Sequence, residues 1–133
     1  MKGQVRGFKD LVAWQRAMDL VVAVYRTTAT FPADERFGLT AQVRRAAVSI
    51  PSNIAEGYGR PNRSDYTHFL DIARGSANEV ETQVLLAVRL GFVRNEKARE
   101  VVILAVEVQR ILAGLTKGLA RSGRTGVRAQ ADS

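Results

Sequence analysis

The chain has 133 residues, 46% of them apolar, and carries a formal net charge of +7 from 20 Lys and Arg against 13 Asp and Glu. That is room for one domain with its own core, and the apolar share excludes a chain disordered by composition. The absence of cysteine excludes a disulfide framework and thiolate metal sites, while the basic balance either attracts polyanions or serves solubility alone.

The opening MKGQVRGFKD is charged and runs into an amphipathic pattern. It reads as neither a secretory signal nor a membrane span, so a cytoplasmic location is expected. A first helix is predicted from Phe8 to Thr28. Leu11, Trp14, Met18, Val21, Tyr25 and Thr28 recur every three and four residues and read as its core seam. Val12, Val22 and Val24 widen that seam beyond what one neighbour needs. Phe31-Pro32 ends the helix, because a residue before proline avoids the α region.

The second helix, Leu39 to Gly59, has Thr40 as its candidate N-cap and carries Pro51 in its interior. Val43, Ala47, Ile50, Ile54 and Tyr58 share one face, and Arg45, Ser49, Asn53, Glu56 and Arg60 share another. After a turn at Gly57, Gly59, Pro61 and Asn62, Ser64 is the predicted cap of a third helix, Asp65 to Leu90. Its core stripe reads Phe69, Ile72 or Ala73, Ser76, Val80, Gln83 or Val84, Ala87 and Leu90. Small residues around Gly75 predict a close helix approach there, and Gly91 reads as a stop.

The fourth helix is predicted from Asn95 to Lys117, with a seam of Ala98, Val101, Ala105, Val108, Leu112, Leu115 and Leu119. Further apolar residues, Val102, Ile103, Leu104, Val106 and Ile111, spread over much of its remaining surface, so a second neighbour is expected, and in a short chain that neighbour is another copy of itself. Residues 8–117 thus read as one all-α, antiparallel, up-and-down four-helix bundle, and residues 118–133 as a flexible basic tail. The charge is uneven. Residues 1–9 contribute Lys2, Arg6 and Lys9, residues 36–63 contribute five arginines against Glu56, and the tail contributes Lys117, Arg121, Arg124 and Arg128 against Asp132.

Three runs, FKDLVAWQRAMDL, FPADERFGLTAQVRRAAVSIPSNIAEGYGR and HFLDIARGSANEVETQ, resemble the four helix bundle proteins. That family includes proteins encoded in intervening sequences of bacterial large-subunit ribosomal RNA genes, and it is similar to the accessory variability proteins of diversity-generating retroelements. The resemblance covers roughly residues 8–115 and is most specific at RRAAVSIPSNIAEG, with its internal proline. It implies an antiparallel bundle, often a homopentamer. The retroelement relatives are basic, bind nucleic acid and partner a reverse transcriptase.

Two groups of side chains are candidates for a role. Arg45, Ser49, Asn53 and Glu56 facing Gly75, Ser76 and Glu79 form either a structural polar seam, a ligand site or a solvated face. Arg44, Arg60, Arg63, Lys117, Arg121 and Arg124 are candidate contacts for RNA or DNA, since arginine pairs bidentately with phosphate. Against them stands a merely solvated basic surface. His68 lies three residues from Asp65 and from Asp71, the spacing of ordinary helix pairs, and nothing places Ser49 on a nucleophile elbow. No catalytic residue, metal site or cofactor is expected. The expected protein is a non-enzymatic oligomeric scaffold with a nucleic-acid role, and the alternative is a protein–protein assembly module without one.

Overall fold

The computed structural model describes residues 4–125. Within them α1 spans Val12–Thr28, α2 Leu39–Tyr58, α3 Arg63–Arg89 and α4 Asn95–Thr125, with 3-10 turns at Phe8–Asp10 and Ala33–Glu35. No strand occurs among the described residues. Each helix packs on its neighbours in sequence, and α4 closes the ring against α1. Gln42 meets Gln83, and seven residues further along α2, Ser49 meets Ser76, seven residues back along α3. The two helices therefore run antiparallel, as short connections require. The result is the expected four-helix bundle.

Its helix ends are set by side chains close in sequence. The Leu39 N–H donates to Glu35 Oε1 at 2.9 Å, so Gly38 is the cap of α2. Thr40, expected there, is instead buried in the first turn. Asn62 Oδ1 accepts the Asp65 N–H at 2.8 Å and caps α3, which places Ser64 inside the helix rather than at its cap. At the other end of α3, Gly91 adopts φ 78°. Phe92 N–H bonds to Ala87 O and Gly91 N–H to Val88 O, the paired bonds of a Schellman motif. That motif seats Phe92 against Phe31, with ring centroids 6.0 Å apart. In its interior α2 runs on through Pro51, which is buried.

The core face of α2 is the expected one, with Val43, Ala47, Ile50 and Ile54 fully buried. The α4 seam is also as expected, apart from Leu115, which is partly buried. The first helix differs. Its buried residues are Ala13, Ala17, Leu20, Ala23, Val24 and Thr28. Met18 and Tyr25 are exposed at 41% and 43%, and Trp14 and Val21 are only partly buried. The alanines let α1 sit close to its neighbours, and the stripe of larger side chains turns away from them. On α3 the buried positions are Tyr66, Leu70, Ala73, Ser76, Ala77, Val80, Val84 and Ala87, while Ile72 and Leu90 are exposed and Phe69 is partly covered.

Two further expectations are corrected. The close helix approach lies not at Gly75, around which there is open space, but at Gly57 near the end of α2. A Cβ on Gly57 would stand 2.7 Å from Phe69 Cβ and 3.2 Å from Tyr66 Cδ1. The fourth helix continues to Thr125, so Gly118–Thr125, expected as flexible tail, is helical, and Leu119 is fully buried. The seam of α4 extends one step past Leu115, and burying a leucine outweighs the roughly 1 kcal/mol by which Gly118 disfavours helix. The remainder of the expected tail, residues 126–133, lies outside the described residues.

Candidate functional site

The candidate polar seam divides in two. Ser49 Oγ and Ser76 Oγ are hydrogen-bonded at 2.9 Å, and Asn53 Nδ2 donates to Ser49 O at 2.8 Å and Ser49 Oγ at 2.9 Å. These three side chains satisfy one another at the α2–α3 contact. Arg45, Glu56, Gly75 and Glu79 are all exposed. Arg45 and Glu79 form no ion pair among the described residues, and Glu56 turns to Arg60 at 2.8 Å instead. With Ser49 opposite Ser76, His68 falls eight residues back along α3, about 12 Å at the helical rise of 1.5 Å per residue. Its ring is exposed against Phe69. No Ser–His–Asp arrangement is formed by Ser49, His68 and Asp71.

The candidate phosphate contacts are also unequal. Arg44 is half-buried and binds α2 to α1: its Nε donates to Thr28 Oγ1 at 2.8 Å, and its guanidinium lies 4.4 Å from the Tyr25 ring centroid. Arg60, paired with Glu56, lies 4.9 Å over the Phe69 ring. Arg63 is half-buried in the first turn of α3, where its Nε is enclosed without a hydrogen-bond acceptor. Lys117 and Arg121 are exposed on α4. The Arg124 side chain lies outside the described residues. Along α2, Arg44 and Arg60 are sixteen residues apart, about 24 Å, so they belong to opposite ends of the bundle.

An up-and-down bundle of four helices returns its two chain ends to the same side. Here that side also holds the α2–α3 turn. Arg6 and Lys9 before α1, Arg60 and Arg63 at the turn, and Lys117 and Arg121 on α4 therefore gather at one end, facing Asp10, Glu56 and Asp65. Three basic segments far apart in sequence become neighbours. Asp10 is partly used there by a hydrogen bond from the Arg6 N–H.

Features not anticipated from sequence lie on α1 and the turn before α2. Arg16 bridges α1 and α4 through Glu107 at 2.9 Å and reaches Asp19 on its own helix. The hydrogen bonds that Arg16 donates to Glu107, helped by the carboxylate's charge and only partly opposed by desolvation, raise the Arg16 pKa further above its ordinary value, so it is a cation at any working pH. A cleft of about 390 Å³ between α1 and α2 is lined by Trp14, Met18, Val21, Val48, Pro51, Ser52 and Ala55, with no charged side chain. In the turn before α2, Phe37 is 86% exposed. A bulky aromatic in the polar turn ADERFG was the signal for it. No group of three metal-ligating side chains occurs among the described residues, and no helix there is long and apolar enough to cross a membrane.

The fold and this surface define a class: a basic antiparallel four-helix bundle with part of its apolar surface turned outward. Residues 9–114 match the 23S rRNA-intervening sequence protein family, and the chain belongs to that family. It is similar in fold to the crystal structure of a protein of unknown function from the S23 ribosomal protein family of Bacteroides thetaiotaomicron VPI-5482. That likeness has a TM-score of 0.72 at 24% identity and covers 80% of this chain and 99% of that one. No curated protein matches the chain.

Proposed function

We propose that this protein is a non-enzymatic, self-assembling scaffold that presents a basic bundle end to RNA or DNA. The observation that carries the nucleic-acid part is the gathering of Arg6, Lys9, Arg60, Arg63, Lys117 and Arg121 at one end by the antiparallel topology. Clustered cations release counterions from a polyanion, and an assembly repeats the cluster, so modest patches add up. The self-assembly part rests on the outward stripe Trp14, Met18, Val21 and Tyr25, continued by Val48 and Pro51 into an uncharged cleft. Apolar side chains grouped in this way on one flank are a candidate contact between copies. A homopentamer is the assembly we propose, following the resemblance.

The test is fluorescence anisotropy with labelled RNA and DNA at low and physiological salt, alongside light scattering. Wild type is expected to bind without strong sequence preference and to lose affinity steeply as salt rises. The double variant Arg60→Ala/Arg63→Ala is expected to bind more weakly with a shallower salt slope. Met18→Asp is expected to reduce the assembly mass. No binding at low salt, with an intact oligomer, would favour the pure assembly module. A wild-type monomer across the micromolar range would refute the self-assembly part.

A further inference from the structure

The basic end is not the only place where cations cluster. On the flank of the bundle, between α1, the Ala33–Glu35 turn and α2, lies a cleft of about 500 Å³ lined by Tyr25, Arg36, Phe37, Thr40, Ala41, Arg44, Arg45 and Val48. Three of these are arginines, two are aromatic, and no carboxylate lines the cleft among the described residues. The nearest acid in sequence to the α2 start, Glu35, is turned back onto the Leu39 N–H. The local field is therefore positive.

The aromatic component distinguishes this cleft from the basic end. Phe37 is the most exposed of the large apolar side chains among the described residues, and the Arg36 guanidinium stands 5.0 Å from its ring centroid. One cation therefore accompanies the ring, and most of the ring remains accessible to solvent. Arg44 spends its Nε on Thr28 and one terminal nitrogen weakly on Tyr25 O at 3.5 Å, leaving the rest of its five N–H donors unassigned. Arg45 is exposed next to it. A flat apolar ring beside exposed Arg45 and an Arg36 guanidinium engaged only with that ring suits a ligand with a flat ring and a phosphate.

We infer that this flank cleft is a binding site for single-stranded nucleic acid, in which a base stacks on Phe37 and the adjoining phosphates meet Arg36 and Arg45. The inference rests on the nucleic-acid reading above and assigns it a second, aromatic contact. Stacking on an aromatic side chain is tolerant of base identity, and arginines that track the backbone supply the remainder. A duplex keeps its bases stacked on one another, so the cleft selects single strands.

The test uses the full chain with a single-stranded oligouridine and, as a probe lacking bases, inorganic polyphosphate of similar charge. Phe37→Ala is expected to weaken oligouridine binding between fivefold and about a hundredfold, the usual range for one stacked base, and to leave polyphosphate binding unchanged. Arg36→Ala/Arg45→Ala is expected to weaken both. Phe37→Trp provides a direct readout: its added fluorescence is expected to be quenched by oligouridine and not by polyphosphate, even where Arg60→Ala/Arg63→Ala has weakened the basic end. Oligouridine affinity unchanged in Phe37→Ala, or no quenching of Phe37→Trp, overturns the flank site while leaving binding at the basic end intact. Failure of wild type to bind either probe overturns both readings. A change of assembly mass in Phe37→Ala would make Phe37 an interface residue between copies and equally overturn the site.

Discussion

Two helical glycines, Gly57 in the last turn of α2 and Gly75 inside α3, allow a test in which part of the energetics cancels. Alanine is favoured over glycine in a helix by about 0.5–1 kcal/mol. At Gly75 an added Cβ meets nothing within 4 Å, so Gly75→Ala collects that gain. At Gly57 the same methyl would lie 2.7 Å from Phe69 Cβ and 3.3 Å from Tyr66 O. Carbon atoms prefer about 3.5–4.0 Å, and neither a Cβ nor a carbonyl can rotate away, so α2 and α3 must separate. Overpacking of this kind costs about 1–3 kcal/mol. The propensity gain at Gly57, in the last turn of its helix, is at most that at Gly75, so the gap between the variants is that cost plus up to about 1 kcal/mol of propensity. Urea unfolding followed by circular dichroism, at one protein concentration so that assembly contributes equally, is expected to place Gly75→Ala above wild type and Gly57→Ala about 1–4 kcal/mol below Gly75→Ala. Equal midpoints for the two variants would refute the close approach at Gly57.

Leu119→Ala is expected to lower unfolding free energy by about 2–5 kcal/mol, measured by the same denaturation, because Leu119 is fully buried; a loss under 0.5 kcal/mol would show that α4 beyond Lys117 is not part of the fold. In a double-mutant cycle, Ser49→Ala and Ser76→Ala are expected to couple by about 0.5–1.5 kcal/mol through their shared hydrogen bond, whereas Arg45→Ala is expected to stay within about 0.5 kcal/mol of wild type.

Helix number, type and approximate limits were legible because hydrophobic period and the breaks at Pro32, Pro61 and Gly91 are local signals. The faces of α2 and α4 were legible too, since on each one three-and-four stripe, Val43, Ala47, Ile50 and Ile54 or Val101, Ala105, Val108 and Leu112, is continuous and buried, although Val48 and Ile103 outside it are exposed. The cap of α2 was missed because Glu35, four residues away on a separate turn, supplies the acceptor. The polar seam was legible only at Ser49, Asn53 and Ser76. Helical spacing put Arg45 and Glu56 within the same polar stripe, but the stripe is wider than the contact, and long charged side chains at its margins reach solvent. The basic end was visible as three charged segments and invisible as one surface, because their meeting depends on topology. Phe37 and its cleft were missed because a single aromatic in a turn has no period to expose it.

The misreading of α1 carries information about function. Two stripes on this helix share the same three-and-four spacing and differ by one residue, about 100° of rotation. One holds Ala13, Ala17, Leu20 and Val24, and the other holds Trp14, Met18, Val21 and Tyr25. Period alone cannot choose between them, and size favours the second. The fold places the first inside. A monomer gains most by burying its largest side chains, at about 25 cal/mol per Å² of apolar surface. A helix that gives its alanines to its own bundle and turns its tryptophan, methionine and tyrosine toward the edge gives up part of that gain. A second apolar surface against this stripe would recover it, and the stripe's extension by Val48 and Pro51 of α2 makes the surface continuous rather than scattered. The same arrangement explains why alanine suits the inner positions: α1 must lie close to α2 and α4 for its outer side chains and those of α2 to form one cleft. Substituting larger residues at Ala13 and Ala17 would therefore push α1 outward and open that cleft. The inner and outer stripes are thus one design, in which close packing within the bundle shapes the apolar face turned outward, the face that the proposed self-assembly would use.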